Sequence, residues 1–149
     1  MSSYPSFNTR VIGQTEKTLN AILNRQLAGT GLTEPQWVIL TLAVTGGGTF
    51  ERDPFARQVA GALKISEAQA QASIDDLIAA QRLRAHDEGS TLIVTDAARQ
   101  LHSRIRTVVS EITERLWGDL PAEDLATAGR VLSIITERAN AELAAAGEL

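Results

Sequence analysis

"DPFARQVAGALKISEAQAQASIDDL" (Asp53–Leu77) reads as two short helices joined by a turn. Asp53 stands where a helix N-cap belongs. Pro54 follows at the first helical position, where its missing N–H breaks no hydrogen bond. "LKIS" (Leu63–Ser66) interrupts the pattern. A second helix opens at Ser66, because Gln69 three residues later completes a capping-box spacing, and it extends to about Leu83. Ile74, Leu77 and Ile78 fall on its inner side. That places Gln69, Ala70, Ser73 and, beside them, Gln71 or Ala72 on the outer side of its first turns.

The neighbouring segments extend this core in both directions. Downstream, "LRAH" and "TLIVT" flank the turn residues "DEGS", the chemistry of a small hairpin. Upstream, "TEPQWVILTLAV" (Thr33–Val44) carries Thr33 as cap, Gln36 at the capping-box position and Pro35 in the first turn. "TGGG" (Thr45–Gly48) ends that helix and reads as a flexible link ahead of a short strand. Before it, Phe7, Val11, Leu19, Ile22, Leu23 and Leu27 recur at helical spacing until Gly29 and Gly31 stop the run. After the hairpin, Thr95 caps a long helix with Leu101, Ile105, Val108, Ile112 and Leu116 on one stripe. "DLPAEDL" breaks that helix. The last helix aligns Leu125, Ala128, Leu132, Ile135, Ala139 and Leu143, and the Ala-rich tail beyond Leu143 is expected to fray.

Composition bounds what such a chain can be. The 149 residues are 44% hydrophobic and suit one ordinary soluble domain, 1–149. The absence of cysteine removes disulfides, thiol nucleophiles and Cys-based zinc sites. The first residues carry no leader pattern and no apolar run reaches a bilayer-spanning length, so a cytoplasmic location is expected. No nucleophile is paired with a base in a recognisable motif, and "TGGGTFE" lacks the lysine of a phosphate loop. Neither catalysis nor a cofactor is indicated. His86, Asp87, Glu88 and His102 are metal-ligand types, but the first three sit at a hairpin tip that reads as solvated, so no metal site is expected.

Two helices around a turn, followed at once by a hairpin, are the ingredients of a winged helix-turn-helix. "GLTEPQWVILTLA" (Gly31–Ala43) resembles the second-helix signature of the MarR-type regulators, and "VTDAARQL" (Val94–Leu101) resembles the end of their wing leading into the fifth helix. The order of elements matches from about Asn8 to Leu143, although the family's glycine in the second motif is Ala98 here. The resemblance implies a mainly α fold with a small β-hairpin wing. It also implies a winged region over 33–95 and N- and C-terminal helices (1–32 and 96–149) that intertwine as a dimerisation region. It implies a homodimer on double-stranded DNA at a pseudo-palindromic operator, acting as a repressor whose affinity is modulated by a small aromatic or phenolic ligand. The terminal apolar stripes agree independently, since each must be buried against something and a two-fold partner is an economical answer. A monomeric bundle with a hairpin insert is the plainer alternative.

Charge complicates this reading. Between Phe50 and Thr95 five basic residues face seven acidic ones, and the whole chain carries a net −4, the reverse of the usual balance for a nucleic-acid binder. Ala72 occupies the position where the family commonly has an arginine, and "HDEGS" supplies no basic wing tip, so minor-groove insertion by the wing is not carried over. Base contacts are expected instead from Ser66, Gln69, Ala70, Gln71 and Ser73, by amide pairing with adenine and methyl packing on thymine. Phosphate anchoring is expected from Arg57, Lys64, Arg84 and helix N-termini. Asp75 and Asp76 are expected in solvent or paired with Arg82. Trp37, His102 and Arg106 are candidate effector residues, because a guanidinium and an imidazole near an indole suit an aromatic carboxylate or phenol. The competing reading is a winged-helix dimer that has lost DNA binding and serves as a protein-interaction or small-molecule-binding module.

Overall fold

The computed structural model describes residues 3–147, leaving aside the side chains at 87, 146 and 147. Six helices and three short strands follow one another as α1 (Thr9–Leu27), α2 (Glu34–Thr45), β1 (Thr49–Glu51), α3 (Arg52–Leu63), α4 (Glu67–Ala79), β2 (Leu83–His86), β3 (Thr91–Val94), α5 (Asp96–Trp117) and α6 (Ala122–Gly147). The chain divides into two compact units, Met1–Val109 and Ser110–Leu149. Among the described residues no helix is long and apolar enough to cross a membrane.

Local chemistry sets most of the boundaries. Asn8 caps α1 by accepting from the Val11 N–H at 2.9 Å, so that helix starts two residues after Phe7. The Thr33 and Ser66 capping boxes both close, with each cap hydroxyl accepting from the backbone of Gln36 or Gln69 and each glutamine side chain accepting from the cap N–H. Thr95 accepts from the Ala98 N–H at the start of α5. Three expectations fail. Helix α4 ends at Ala79, ahead of Leu83, which opens β2. Helix α3 begins at Arg52, one residue before Asp53, and its N-cap Glu51 makes no side-chain cap bond; the carboxylate of Asp53 faces α4 instead. At the other end of the chain, α6 continues past Leu143 to Gly147.

In the first unit, β1, β3 and β2 form one antiparallel sheet in that order, pairing Phe50 with Leu92 and Leu83 with Val94. The strand after the glycines therefore joins the hairpin and makes the wing three-stranded. The glycines themselves are a fixed turn and not a loose link. Gly48 is buried at φ +84°, its N–H donates to the Ala43 carbonyl, and its own carbonyl accepts from the Val94 N–H at 2.8 Å.

The core lies where α2, α3, α4 and the sheet meet the first half of α5. Ile39, Leu40, Val59, Ala70, Ile74, Leu77, Leu83 and Leu92 are completely or almost completely removed from solvent. In the second unit none of the described residues is buried, and Leu116, Trp117, Leu120, Leu125, Leu132 and Leu143 are all exposed. Such apolar surface on two helices is far more than scattered exposure and calls for a partner.

Candidate nucleic-acid interface

Helix α3 ends at Lys64, which takes a left-handed conformation (φ +57°), and the Ile65 N–H then returns to the Ala60 carbonyl at 3.1 Å. This tight turn folds α4 back against α3, with the Ser66 capping box at the start of α4. Exposed Glu67, Ala68 and Ala72 lie on the outer surface of the first turns, followed by Asp75, Asp76 and Ala79. The outward face is thus alanine and carboxylate.

The expected base-reading residues are dispersed by this geometry. Ala70 is completely buried, one turn before Ile74 on the same stripe, and cannot present its methyl to a base. Ser73 is half-buried. Gln69 is exposed, but its Oε1 is taken by the Ser66 N–H at 3.0 Å, which leaves its amide NH2 as the outward-directed donor. Gln71 is half-buried and engaged at both ends of its amide. Its Oε1 accepts from Arg52 Nε at 2.7 Å, and its Nε2 donates to Asp53 Oδ1 at 3.1 Å.

Arg52 organises this corner. Besides Gln71, its Nη2 reaches the Asp75 carboxylate at 2.5 Å, while its backbone N–H donates to the Ser90 carbonyl at 2.9 Å. One residue therefore ties the base of the wing, the start of α3 and the flank of α4 together. The pairing of Asp75 is with Arg52 and not with Arg82, whose Nη2 donates instead to the Thr30 carbonyl at 2.8 Å. These partners are 19 and 23 residues apart, so no spacing rule could find them.

Of the expected phosphate anchors, Arg57, Lys64 and Arg84 are all exposed. Arg57 lies 3.8 Å from the Glu67 carboxylate with both side chains more than half exposed, a contact too solvated to hold it. They stand in α3, at its C-cap and in β2 respectively.

Trp37, His102 and Arg106 are brought together, but not around a described cavity. The rings of Trp37 and His102 stack at 4.7 Å and 20°, and His102 Nε2 shares a hydrogen bond of 3.1 Å with the Thr41 hydroxyl. His102 is 3% exposed, Trp37 is half-buried against the core, and Arg106 is exposed. Burial, and then the Arg106 charge, hold the imidazole below its ordinary pKa. Among the described residues no group of three or more His, Asp or Glu is placed to hold a metal ion.

The fold recurs in solved structures. A MarR protein from Peptoclostridium difficile superposes with a TM-score of 0.71 at 17% identity, over 95% of this chain and 97% of that one. The fold is that of the MarR-type regulators. A MarR mutant from E. coli complexed with operator DNA shares the MarR-type fold at a TM-score of 0.66 and 14% identity, over 85% of this chain and 91% of the other. CouR from Rhodococcus jostii RHA1, bound to p-coumaroyl-CoA, gives 0.70 and 20%, over 84% and 88%. No family model and no curated protein matches the sequence itself. At these identities the likeness is one of architecture, and the MarR-type fold leaves function to be argued from the surfaces.

Proposed function

We propose that this chain is a homodimeric transcription regulator that binds double-stranded DNA at a pseudo-palindromic operator, as a repressor whose affinity responds to a small ligand. The observation that carries the reading is the capped, solvent-facing N-terminus of α4, set by a tight turn after α3 in a unit that also carries a three-stranded wing. Ser66 and the NH2 of Gln69 are the polar groups offered to base edges, and Ala68 and Ala72 are small enough to let the backbone approach a groove. Arg57, Lys64 and Arg84 take phosphates, so affinity falls only moderately with salt. The exposed apolar stripes of α5 and α6 supply the dimer contact, and Trp37, His102 and Arg106 are the residues through which the ligand acts.

The second reading, a dimer that no longer binds DNA, draws on one observation: the α4 surface offers Asp75 and Asp76 where phosphate attraction would be useful, and Gln71 is withheld. A mobility-shift titration with DNA flanking the chain's own gene separates the two. Ala72 is exposed on the outward face, so Ala72→Glu leaves the fold intact and adds a fourth carboxylate to Glu67, Asp75 and Asp76 on the surface proposed to meet the groove. Loss of the shifted band in that variant, with unchanged far-ultraviolet dichroism, supports regulation through DNA. No band with the unaltered protein at low salt supports the second reading.

A further inference from the structure

Ala70, Ile74 and Leu77 bury one stripe of α4, and the positions on the opposite side are Ala68, Ala72 and Ala79, all exposed. Ala68 and Ala72 stand four residues apart, so their methyl groups lie one above the other on the first turns. Asp75 and Asp76 make the later turns acidic. The first turns are therefore the part of the helix suited to approach a polyanion.

The fold restricts the hydrogen-bonding chemistry on those turns. Bidentate pairing with adenine needs an amide that offers both its carbonyl and its NH2. Gln71 offers neither, since Arg52 and Asp53 hold the two ends of its amide. Gln69 has its Oε1 on the Ser66 N–H at 3.0 Å, so the capping box orients this amide with the NH2 as its open end. Guanine, with its paired acceptors, suits an arginine or a lysine, and α4 has neither. What α4 presents is one amide donor and, three residues further along a neighbouring row of the same surface, a methyl group. In the major groove thymine is the base whose edge carries an acceptor, O4, beside a methyl group, at C5.

We propose that α4 reads thymine, with the Gln69 NH2 donating to O4 and Ala72 packing on the C5 methyl, while Ala68 packs on the methyl of a neighbouring thymine. This rests on the DNA-binding reading above and narrows it. Adenine is recognised through the thymine paired with it, and each half-site carries thymines that face these two alanines.

The test is a mobility-shift titration of the full chain with two duplexes of the chain's own upstream sequence, one made with deoxythymidine and the other with deoxyuridine throughout. The exchange removes the C5 methyl groups and leaves base pairing and charge unaltered. Burying one methyl group is worth about fourfold in affinity, so the deoxyuridine duplex should bind at least about tenfold more weakly over two half-sites. Ala72→Gly deletes the packing methyl and should lower that ratio at least about threefold. Ala79→Gly, further along the same exposed face, should keep it. Each variant is compared with itself on the two duplexes, so the helix penalty of glycine does not move the ratio. Equal affinity for the two duplexes overturns the inference and leaves the regulator reading standing. A ratio unchanged in Ala72→Gly, or lowered as much in Ala79→Gly, overturns it too, since the methyl groups then act through the shape of the DNA. No shift with either duplex at low salt overturns both.

Discussion

Arg52 and Asp75 form an ion pair across α3 and α4, with the Arg52 side chain 21% exposed and the Asp75 side chain 64% exposed. A cation beside α4 is thereby spent on holding that helix in place.

Removing the carboxylate should expose the consequence. Asp75→Ala releases the Nη2 end of Arg52 from its carboxylate, with Nε still on Gln71, and deletes one negative charge, so on the proposed function DNA affinity rises and the slope of log K against log salt steepens by about 0.9, one phosphate's worth. Because the pair is largely solvated on the Asp75 side, the cost in stability is small, about 0.5 kcal/mol. Fluorescence anisotropy across a salt series checks both; an unchanged slope means Arg52 does not reach a phosphate.

The Ser66 capping box should matter twice. Ser66→Ala removes the acceptor for the Gln69 N–H and should cost about 1 kcal/mol, lowering Tm by about 2–4 °C. It also removes a hydroxyl from the proposed base-reading surface, so binding to operator DNA should weaken more than the stability loss explains. Thr33→Ala, at the other capping box, is the control: similar Tm loss, with no comparable change in sequence preference.

How far the sequence leads can be judged from these same residues. The caps at Thr33, Ser66 and Thr95 were legible because side chain and backbone partner lie three residues apart, within one turn. The stripe that buries Ala70 is legible too, since Ala70 stands one turn before Ile74, and the structure narrows the outer side of α4 to exclude it. The latch on Gln71 was not legible. It joins residues of different helices through a fold that must exist first, and the same holds for Arg82 reaching Thr30 across the molecule. The glycines before β1 announce a turn by composition, but only the hydrogen bonds on both sides of Gly48 show that the turn is rigid.

That rigidity predicts the effect of a small change. Gly48→Ala forces an L-residue to φ +84° and should cost about 1–2 kcal/mol. The added methyl also meets the Arg99 guanidinium, whose flexible end can move aside. Denaturant unfolding measures the loss; stability equal to the unaltered protein would show that the turn adapts freely.

His102 makes stability depend on pH. Its folded pKa lies below the ordinary value near 6.5, so the unfolded chain binds the proton more readily. The buried neutral ring therefore contributes fully above about pH 6.5, and that contribution is lost as pH falls through 6.5 towards the lower folded value. His102→Phe keeps a ring on Trp37 and removes the titration. Between about pH 7.5 and pH 5.5 the unaltered protein should lose more Tm than this variant. Parallel curves contradict the assignment.

Most direct of all is a stoichiometric anisotropy titration of a labelled duplex from the chain's own upstream region, at low salt and with protein well above the Kd. The account predicts saturation at two chains per duplex, with competition by unlabelled duplex of the same sequence stronger than by a scrambled one. Absence of any anisotropy change at micromolar protein, or saturation at one chain per duplex, contradicts it.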